Sequence, residues 1–356
     1  MRVASQDTPL RVVLIAPVTA DDQAGLAAID PRIELHDAWD LFAPELVADW
    51  PAQTVDWYLP RHFRDLPDSG PDRRDQLLAS ADVLCLTFPF PTHLVSRARR
   101  LRFVQQLPAG VSNLVYSDLW LGPVPITSGR GAANSLVMAE WAIGASLALC
   151  KEFPRAFSQR QVGSFDHQAF KARQLAGKTM AVVGLGGIGR EVARLASALG
   201  MRVIGSRRSA EPVTHVERVY PPSALHTMLA ESDFVVLCAQ LTDETHHLID
   251  EAALQAMKPS AFLLNVARGE LIDEAALLRA LQSGQLGGFA ADVYIGEFER
   301  QPPPELLASN NVLLTPHTSA RTDQPSGAAV EVFKENLRRC LNGQPLLNLV
   351  DWSRGY

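Results

Sequence analysis

Cysteine is scarce in this chain, and the few cysteines stand far apart. The 356 residues include 4 cysteines. None of them belongs to a Cys-X-X-Cys pair or to the Cys/His spacing of a metal site. Their surroundings are apolar or helical, which favours buried, reduced thiols over a disulfide framework. The sequence therefore predicts no metal site. The cysteines are Cys85, Cys150, Cys238 and Cys340.

An excess of positive charge is also missing. Lysine and arginine number 33 against 39 aspartate and glutamate residues, so the net charge is -6. Nucleic acid and anionic membranes attract proteins that carry a broad basic field. We therefore expect neither of them as a partner.

No apolar run approaches the length that crosses a membrane. The apolar run at residues 11–18 is preceded by Asp7 and Pro9 and followed by Asp21. These flanks favour a first buried strand over a secretory signal peptide. We predict a cytoplasmic protein.

A glycine-rich segment is present between a strand-like run, residues 180–183, and a helix-like run, residues 188–199. It reads Gly184-Leu185-Gly186-Gly187-Ile188-Gly189, the GxGxxG spacing of a dinucleotide site. Gly184 permits the tight turn, Gly186 lets the backbone approach a pyrophosphate, and Gly189 lets the helix pack on the strand. The N–H groups at the start of the helix, near Gly187 and Ile188, would bind the anion. A merely tight connection is the alternative.

The next strand, residues 202–206, ends where such a site meets the adenosine ribose. The chain there reads Ser206-Arg207-Arg208-Ser209. A carboxylate would accept hydrogen bonds from a ribose 2′-hydroxyl, whereas arginine offers a planar fork of donors suited to phosphate. We read Arg207 and Arg208, with Ser206 or Ser209, as a 2′-phosphate clamp and favour NADP(H) over NAD(H). A solvated basic loop is the alternative.

The length suits two domains. From residue 178 onward, short strands alternate with helical patterns, which is typical of a doubly wound parallel sheet. Asp273 and Gly284 bound one well-marked helix as its N-cap and C′ residues. The predicted strands of this domain are 180–183, 202–206, 234–238, 261–265, 287–292 and 312–314.

The first 128 residues carry strand candidates of their own and indicate a smaller α/β domain. The last helix, at about residues 326–341, has no strand after it and is expected to cross back to this domain. The dinucleotide domain, 129–319, would then be an insertion between 1–128 and 320–356, with hinges near Ser128 and Ser319. The strand candidates are 12–16, 32–36, 83–87, 102–106 and 124–127.

Residues 39–75 resist assignment. They hold Trp39, Trp50 and Trp57 among prolines and charges. Such a segment could shape a pocket, form an interface or pack as an irregular loop.

Three polar residues stand at or near the ends of sheet strands, where open α/β sheets bind their ligands. They are Arg268, Glu297 and His317. Taken singly, each is explained equally well as an ordinary solvated or structural side chain. Together they supply a guanidinium group that can hold a substrate carboxylate, an imidazole that can donate or accept a proton, and a side-chain carboxylate that orients this imidazole. A 2-hydroxy acid dehydrogenase needs this set.

At these residues the chain resembles the D-isomer-specific 2-hydroxyacid dehydrogenase family. The similar phrases are GLGGIGREVA from Gly184, LTDETHHLID from Leu241, MKPSAFLLNVARGELIDEAAL from Met257, AADVY from Ala290 and LLTPH from Leu313. They cover most of residues 100–340. The resemblance implies two Rossmann-like α/β domains, a doubly wound cofactor domain inserted into a smaller flavodoxin-like substrate domain.

The resemblance also implies roles. Arg268 would pair with the substrate carboxylate and polarise the keto oxygen, while His317 delivers a proton as hydride arrives from the nicotinamide. Glu297 would accept a hydrogen bond from His317 and fix its tautomer. Glu299 is a second candidate for this partner, although the spacing from Asp292 favours Glu297.

Further positions match the family's binding sites. The turn 108–113 matches the glycine-containing turn whose N–H groups hold the substrate carboxylate, with Ala109 and Gly110 as candidates. Ala267 and Asp292 are assigned to the cofactor, Asp292 near the nicotinamide carboxamide; a structural carboxylate at a strand end is the alternative for Asp292. The chain departs from the pattern at Pro108, often a glycine, and at Gln240, commonly a proline.

Arg207 stands where many members carry aspartate, which matches the branch that uses NADP to reduce glyoxylate and hydroxypyruvate. The helix at 134–150, which contains Trp141, matches a segment that packs across a two-fold dimer. A core helix has the same composition, so the expected homodimer depends on the resemblance.

We predict an NADPH-dependent reductase of a small 2-oxo acid. The alternatives are an NAD-preferring dehydrogenase of a bulkier acid and a non-catalytic nucleotide-sensing protein. A formate or phosphonate oxidiser is a further enzyme alternative. Formate is disfavoured, because the corresponding relatives pair their histidine with glutamine.

Overall fold

The computed structural model describes residues 8–131, 135–164, 166–209, 211–323 and 327–354. The described residues fall into two compact units. The first unit combines residues of Met1–Ala133 and Pro325–Tyr356, and the second comprises residues of Asn134–Gln324.

In the described part of the first unit, five parallel strands form one sheet in the order β2-β1-β3-β4-β5. This is the flavodoxin-like order. The predicted strands are confirmed with small shifts at their ends. The strands are β1 (Leu10–Ile15), β2 (Ile33–Asp37), β3 (Val83–Leu86), β4 (Phe103–Gln106) and β5 (Ile126–Ser128).

Helices cover both faces of this sheet. Hydrophobic core residues alternate between the faces along the strands, with Val13 and Ile15 on one side and Val12 and Leu14 on the other. The last helix packs in the second of these cores; its predicted start at Ser326 lies outside the described residues. The helices are α1 (Ala20–Ala27), α2 (Ala43–Asp49), α3 (Ala52–Tyr58), α4 (Pro71–Ser80) and, at the other end of the chain, the helix at Ala328–Leu341.

The segment that resisted assignment, residues 39–75, is largely helical. It contributes α2, α3 and part of α4, together with short 3-10 helices at Asp40–Phe42 and Arg61–Asp65. Trp50 is buried, and its indole N–H donates to the carbonyl of Phe90 at 2.7 Å. The segment is therefore a packed layer of the first unit.

In the described part of the second unit, seven parallel strands form a sheet in the order β12-β11-β10-β9-β6-β7-β8. Renumbered within the unit, the six strands from β8 to β11 follow the Rossmann order 3-2-1-4-5-6. The prediction of two Rossmann-like α/β sheets is confirmed, although β8 was not predicted. The strands are β6 (Thr179–Val183), β7 (Arg202–Ser206), β8 (Arg218–Tyr220), β9 (Phe234–Leu237), β10 (Ala261–Asn265), β11 (Leu286–Ala291) and β12 (Val312–Leu314).

The helices of the second unit cover both faces of its sheet. The helix predicted between Asp273 and Gly284 is confirmed: the Asp273 carboxylate accepts from the N–H of Ala276 at 3.0 Å, and Gly284 has a φ of +73°. The helices are α5 (Ser135–Cys150), α6 (Phe153–Gln161), α7 (Gly187–Ala198), α8 (Leu225–Ala230), α9 (Glu251–Ala256), α10 (Glu274–Gln282) and α11 (Pro304–Ala308), so the final helix of the first unit, Ala328–Leu341, is α12.

None of the helices in the described ranges combines the length and the apolar character that a membrane crossing requires.

Candidate active site

The predicted site residues of the second unit follow the carboxyl ends of its strands. The glycine turn follows β6, the arginine pair follows β7, and Arg268 comes three residues after β10. Asp292 directly follows β11, and His317 follows β12. Because all these strands are parallel, their carboxyl ends form one edge of the sheet. The order reverses between β6 and β9, which is the switch point where such sheets bind ligands.

The glycine turn has the shape that a pyrophosphate requires. Gly184 has a φ of +99°, and a Cβ there would lie 2.7 Å from the N of Ala239. A Cβ on Gly189 would lie 2.1 Å from the carbonyl oxygen of Gly184, so only glycine lets α7 pack this closely. A Cβ on Gly186 would meet none of the described atoms within 4 Å. The open side at Gly186 and the N-terminus of α7 therefore fit a dinucleotide phosphate.

The strand β7 is tied to this turn. The N–H of Gly184 donates to the carbonyl of Ser206 at 3.0 Å, and Ser206 is buried. Its neighbours Arg207 and Arg208 have side chains that are 23% and 45% exposed. The two arginines predicted to clamp a 2′-phosphate therefore come directly after a residue whose backbone is hydrogen-bonded to the glycine turn.

Arg268 is positioned by a buried asparagine that sequence reasoning missed. Asn265 ends β10 and is fully buried. Its side chain accepts from the N–H of Ala267 at 2.9 Å and donates to the carbonyl of Arg268 at 2.8 Å. A Cβ on Gly269 would lie 2.3 Å from the carbonyl carbon of Tyr294, which requires glycine after the arginine. This tight turn holds the backbone of Arg268 at the sheet edge.

The structure brings together His317 and Glu297, the pair for which the resemblance implies a hydrogen bond; that hydrogen bond stays a prediction. The Nδ1 atom of His317 lies 3.2 Å from an oxygen of Glu297. The carboxylate side chain is 4% exposed and the imidazole side chain 26% exposed, so the histidine alone faces outward. Glu299, the second candidate, is exposed. A carboxylate at Nδ1 leaves Nε2 as the outer nitrogen for proton exchange.

The loop that carries His317 is held by Asp292, whose side chain is almost fully buried. Its carboxylate accepts from the N–H of Thr318 and the N–H of Ser319, each at 2.8 Å, and from the hydroxyl of Thr315. The N–H of His317 donates to the Asp292 carbonyl at 2.9 Å. Asp292 therefore has the structural role named as the alternative; its contact with a nicotinamide stays a prediction.

The same hydrogen bonds account for the backbone of His317. Its φ is +52°, in the left-handed region that non-glycine residues rarely adopt. Such a conformation persists where the surroundings over-determine it, and it is concentrated at functional sites. The Asp292 contacts supply that constraint.

The turn with Ala109 and Gly110 belongs to the first unit and follows β4. Its two ends are joined by side chains that the sequence pattern did not reveal: the amide of Gln106 donates to the side-chain oxygen of Asn113 at 2.9 Å, and both residues are buried. The carbonyl of Pro108 accepts from the N–H of Gly129 at 3.1 Å. The turn is therefore fixed at its base, with Ala109 and Gly110 partly exposed at its tip.

Comparison with known proteins agrees with this geometry. Residues 143–319 match the model of the D-isomer specific 2-hydroxyacid dehydrogenase, NAD binding domain. Glyoxylate reductase of Thermococcus gammatolerans is 33% identical over 263 residues, 71% of this chain and 77% of that protein. The chain belongs to the D-isomer specific 2-hydroxyacid dehydrogenase family. The family and the enzyme class predicted from the sequence, an NAD(P)-dependent 2-hydroxyacid dehydrogenase, are confirmed.

Two further relatives extend the comparison. D-3-phosphoglycerate dehydrogenase of Methanocaldococcus jannaschii is 33% identical over 262 residues, 72% of this chain and 49% of that protein. This chain therefore spans about half the length of that relative. A D-isomer specific 2-hydroxyacid dehydrogenase of Xanthobacter autotrophicus, crystallised with NADPH and MES, has a TM-score of 0.74 and 27% identity. That match covers 98% of this chain and 100% of the crystallised chain.

The helix for which the resemblance implies a dimer contact carries exposed apolar side chains. Asn134 lies outside the described residues, and α5 begins at Ser135. Leu136 is 44% exposed on α5, and on α6 Phe153 and Phe157 are 48% and 56% exposed. These helices therefore present apolar surface in the single chain.

Proposed function

We propose that this dehydrogenase reduces a small 2-oxo acid of the glyoxylate or hydroxypyruvate type to the D-2-hydroxy acid with NADPH. The observation that carries the proposal is the His317–Glu297 pair. It stands on a loop that Asp292 fixes, at the sheet edge that also carries the phosphate turn and Arg268. This edge offers a proton donor and an anion-binding fork beside a dinucleotide site.

The residues divide the chemistry between them. The fork of Arg268 holds the substrate carboxylate and polarises the keto oxygen. In the first unit, the N–H groups of Ala109 and Gly110 are the candidates for binding a substrate carboxylate. When bound, the reduced nicotinamide supplies a hydride to the keto carbon. His317 gives the proton on Nε2 to the keto oxygen, while Glu297 holds Nδ1 and stabilises the imidazolium before transfer. Proton and hydride together complete the alcohol.

The cofactor preference rests on the end of β7. In this proposal the pyrophosphate binds at the glycine turn, Gly184, Gly186, Gly187, Ile188 and Gly189. The adenosine ribose is met by Ser206, Arg207 and Arg208. The opposite end of the cofactor site contains Ala267 and Asp292. Two guanidinium groups there favour a 2′-phosphate over a 2′-hydroxyl. The Xanthobacter relative was crystallised with NADPH, which supports this preference.

A homodimer is the proposed assembly. The exposed apolar side chains of α5 and α6 belong to the second unit, which is the cofactor unit in this proposal. A second copy that covered them would remove apolar surface from water. Sedimentation of the purified protein measures the state directly, and a monomer at micromolar concentration would contradict it.

The deciding experiment measures kcat/KM with NADPH and with NADH for glyoxylate, hydroxypyruvate, pyruvate and bulkier 2-oxo acids. The proposal expects the highest value for a small acid with NADPH. Fast turnover of a bulky acid with NADH would favour the NAD-preferring dehydrogenase instead. Tight cofactor binding without turnover of any 2-oxo acid would favour a nucleotide-sensing protein.

A further inference from the structure

Each clamp arginine already has a carboxylate beside it. Arg208 donates to an oxygen of Glu244 at 3.0 Å, and the guanidinium of Arg207 lies 3.7 Å from an oxygen of Glu211. The glutamate side chains are 77% and 79% exposed, respectively. A 2′-phosphate that binds these arginines would therefore meet arginines whose positive charge is already partly balanced.

The partner of Arg208 comes from a different strand. Arg208 follows β7, whereas Glu244 lies in the loop after β9, and these two strands flank β6 in the sheet. Since neighbouring strands are about 4.8 Å apart, the ion pair connects points separated by about 10 Å at the strand ends. The strand between them leads into the glycine turn. The pair therefore bridges the side of the switch point that carries the adenosine half of a dinucleotide.

The Glu244 loop has a fixed base. The hydroxyl of Thr245 donates to the carbonyl of Gln240 at 2.7 Å, and the N–H of Thr242 donates to the Thr245 hydroxyl at 2.8 Å. Gln240 is the residue that replaces a common proline of the family. The carboxylate of Glu244 thus projects from an anchored turn toward Arg208.

We propose that Glu244 is a specificity-determining residue for the cofactor, a resident counter-ion that a 2′-phosphate must displace from Arg208. This inference rests on the proposed clamp. The displaced pair is exposed, and exposed ion pairs are weak, so Glu244 lowers the affinity for a 2′-phosphate by about two- to fivefold. Glu211 has a smaller effect, because its carboxylate lies farther from its arginine. Glu244 thereby sets how strongly the enzyme prefers NADPH to NADH.

The test uses two nucleotides that differ by the 2′-phosphate, adenosine 2′,5′-bisphosphate and AMP, with dissociation constants from calorimetry at low salt. Glu244→Gln should bind the bisphosphate about two- to fivefold more tightly and leave AMP unchanged. Glu211→Gln should gain less. The control is Glu251→Gln, which makes the same charge change at an exposed pair with Arg279, and it should leave both constants unchanged.

A double substitution separates displacement from a general charge effect. In an Arg208→Gln background, Glu244→Gln should give no gain, because the arginine that pairs with this carboxylate is gone. An equal gain in that background, or no gain from Glu244→Gln alone, would overturn the proposal. If Arg208→Gln by itself leaves the preference for the bisphosphate over AMP unchanged, the clamp is wrong and the role of Glu244 is wrong with it. If Arg208→Gln weakens that preference while Glu244→Gln changes nothing, the role of Glu244 alone is wrong.

Discussion

At one end of the carboxyl edge of the second sheet two functional carboxylates are buried, whereas at the other end the two arginines are partly or largely exposed. Beyond β11 and β12, Asp292 is 1% exposed and Glu297 is 4% exposed. Beyond β7, the side chains of Arg207 and Arg208 are 23% and 45% exposed, and their carboxylate partners are far more so. The first end is built from buried hydrogen bonds and the second from surface charge.

The difference follows from what each end has to do. Proton transfer depends on the position of a donor to a fraction of an ångström, and the buried Asp292 carboxylate, which accepts three hydrogen bonds, fixes the loop that carries this donor. Recognition of a 2′-phosphate depends mainly on charge, which long exposed side chains supply at little cost in folding stability. Substitutions at the buried end should therefore change both catalysis and stability, whereas those at the exposed end should change cofactor choice alone.

The largest effect is expected from His317→Ala at the buried end. Loss of a general acid lowers kcat/KM by about 100- to 10,000-fold. The dissociation constant of NADPH should stay the same, because the phosphate turn and the arginines are untouched. Steady-state kinetics and fluorescence titration measure the two quantities. Full turnover by this variant would refute the assignment of the proton donor.

Asp292→Asn should lower both activity and stability. One carboxylate oxygen accepts from the N–H of Ser319 and the other from the N–H of Thr318, and an amide keeps only one acceptor oxygen. We expect a loss of about 2 kcal/mol in the free energy of unfolding. We also expect a lower kcat, because the loop that carries His317 loosens. Urea unfolding and kcat are the measurements.

A matched control lies at the opposite edge of the same sheet. Asp233 precedes β9, and its carboxylate accepts from the N–H of Thr179 at 2.9 Å. Asp233→Asn should lower the stability without lowering kcat. An equal fall of kcat in both variants would show that the Asp292 effect comes from general destabilisation.

At the exposed end, Arg207→Asp should change cofactor choice. Replacing a charge-assisted hydrogen bond to phosphate by repulsion should lower the NADPH-to-NADH ratio of kcat/KM by about tenfold or more. The unfolding free energy should change by less than about 0.5 kcal/mol, as for other surface substitutions. An unchanged ratio would mean that Arg207 does not contact the 2′-phosphate. Arg279→Asp, at an exposed pair on α10, is the charge-matched control.

The buried and exposed ends differed in how far the sequence could predict them. The glycine turn and, apart from β8, the strands of both sheets followed from local patterns, because β-branched runs and glycine spacing depend on neighbours in the chain. The His317–Glu297 contact came from the resemblance. Asn265 could not be singled out, since an asparagine at a strand end is unremarkable until the turn that it clamps is known.

Two contacts between side chains were also not predicted. Gln106 meets Asn113 in a buried hydrogen bond, and Glu244 meets Arg208 across β6. No periodicity marks such pairs. The strand β8, Arg218–Tyr220, has three residues like β12, but it begins with an exposed arginine, whereas β12 is wholly apolar. The helices of residues 39–75 are short and interrupted by prolines, so their apolar faces lack a clear helical repeat.

The smallest expected effect is on the reactivity of Cys238, which lies between the two ends of the edge. Cys238 directly follows β9 and is partly exposed, so the expectation of a buried thiol is wrong for this cysteine. Desolvation by the surrounding protein nevertheless raises the pKa of its thiol to about 12. A thiol with a raised pKa forms little thiolate at pH 8, and the thiolate is the reacting species. Iodoacetamide at pH 8 should therefore modify Cys238 slowly in the native enzyme and rapidly after unfolding in urea, as followed by mass spectrometry. Rapid modification of the native enzyme would mean that the thiol ionises readily at pH 8, which would contradict its raised pKa.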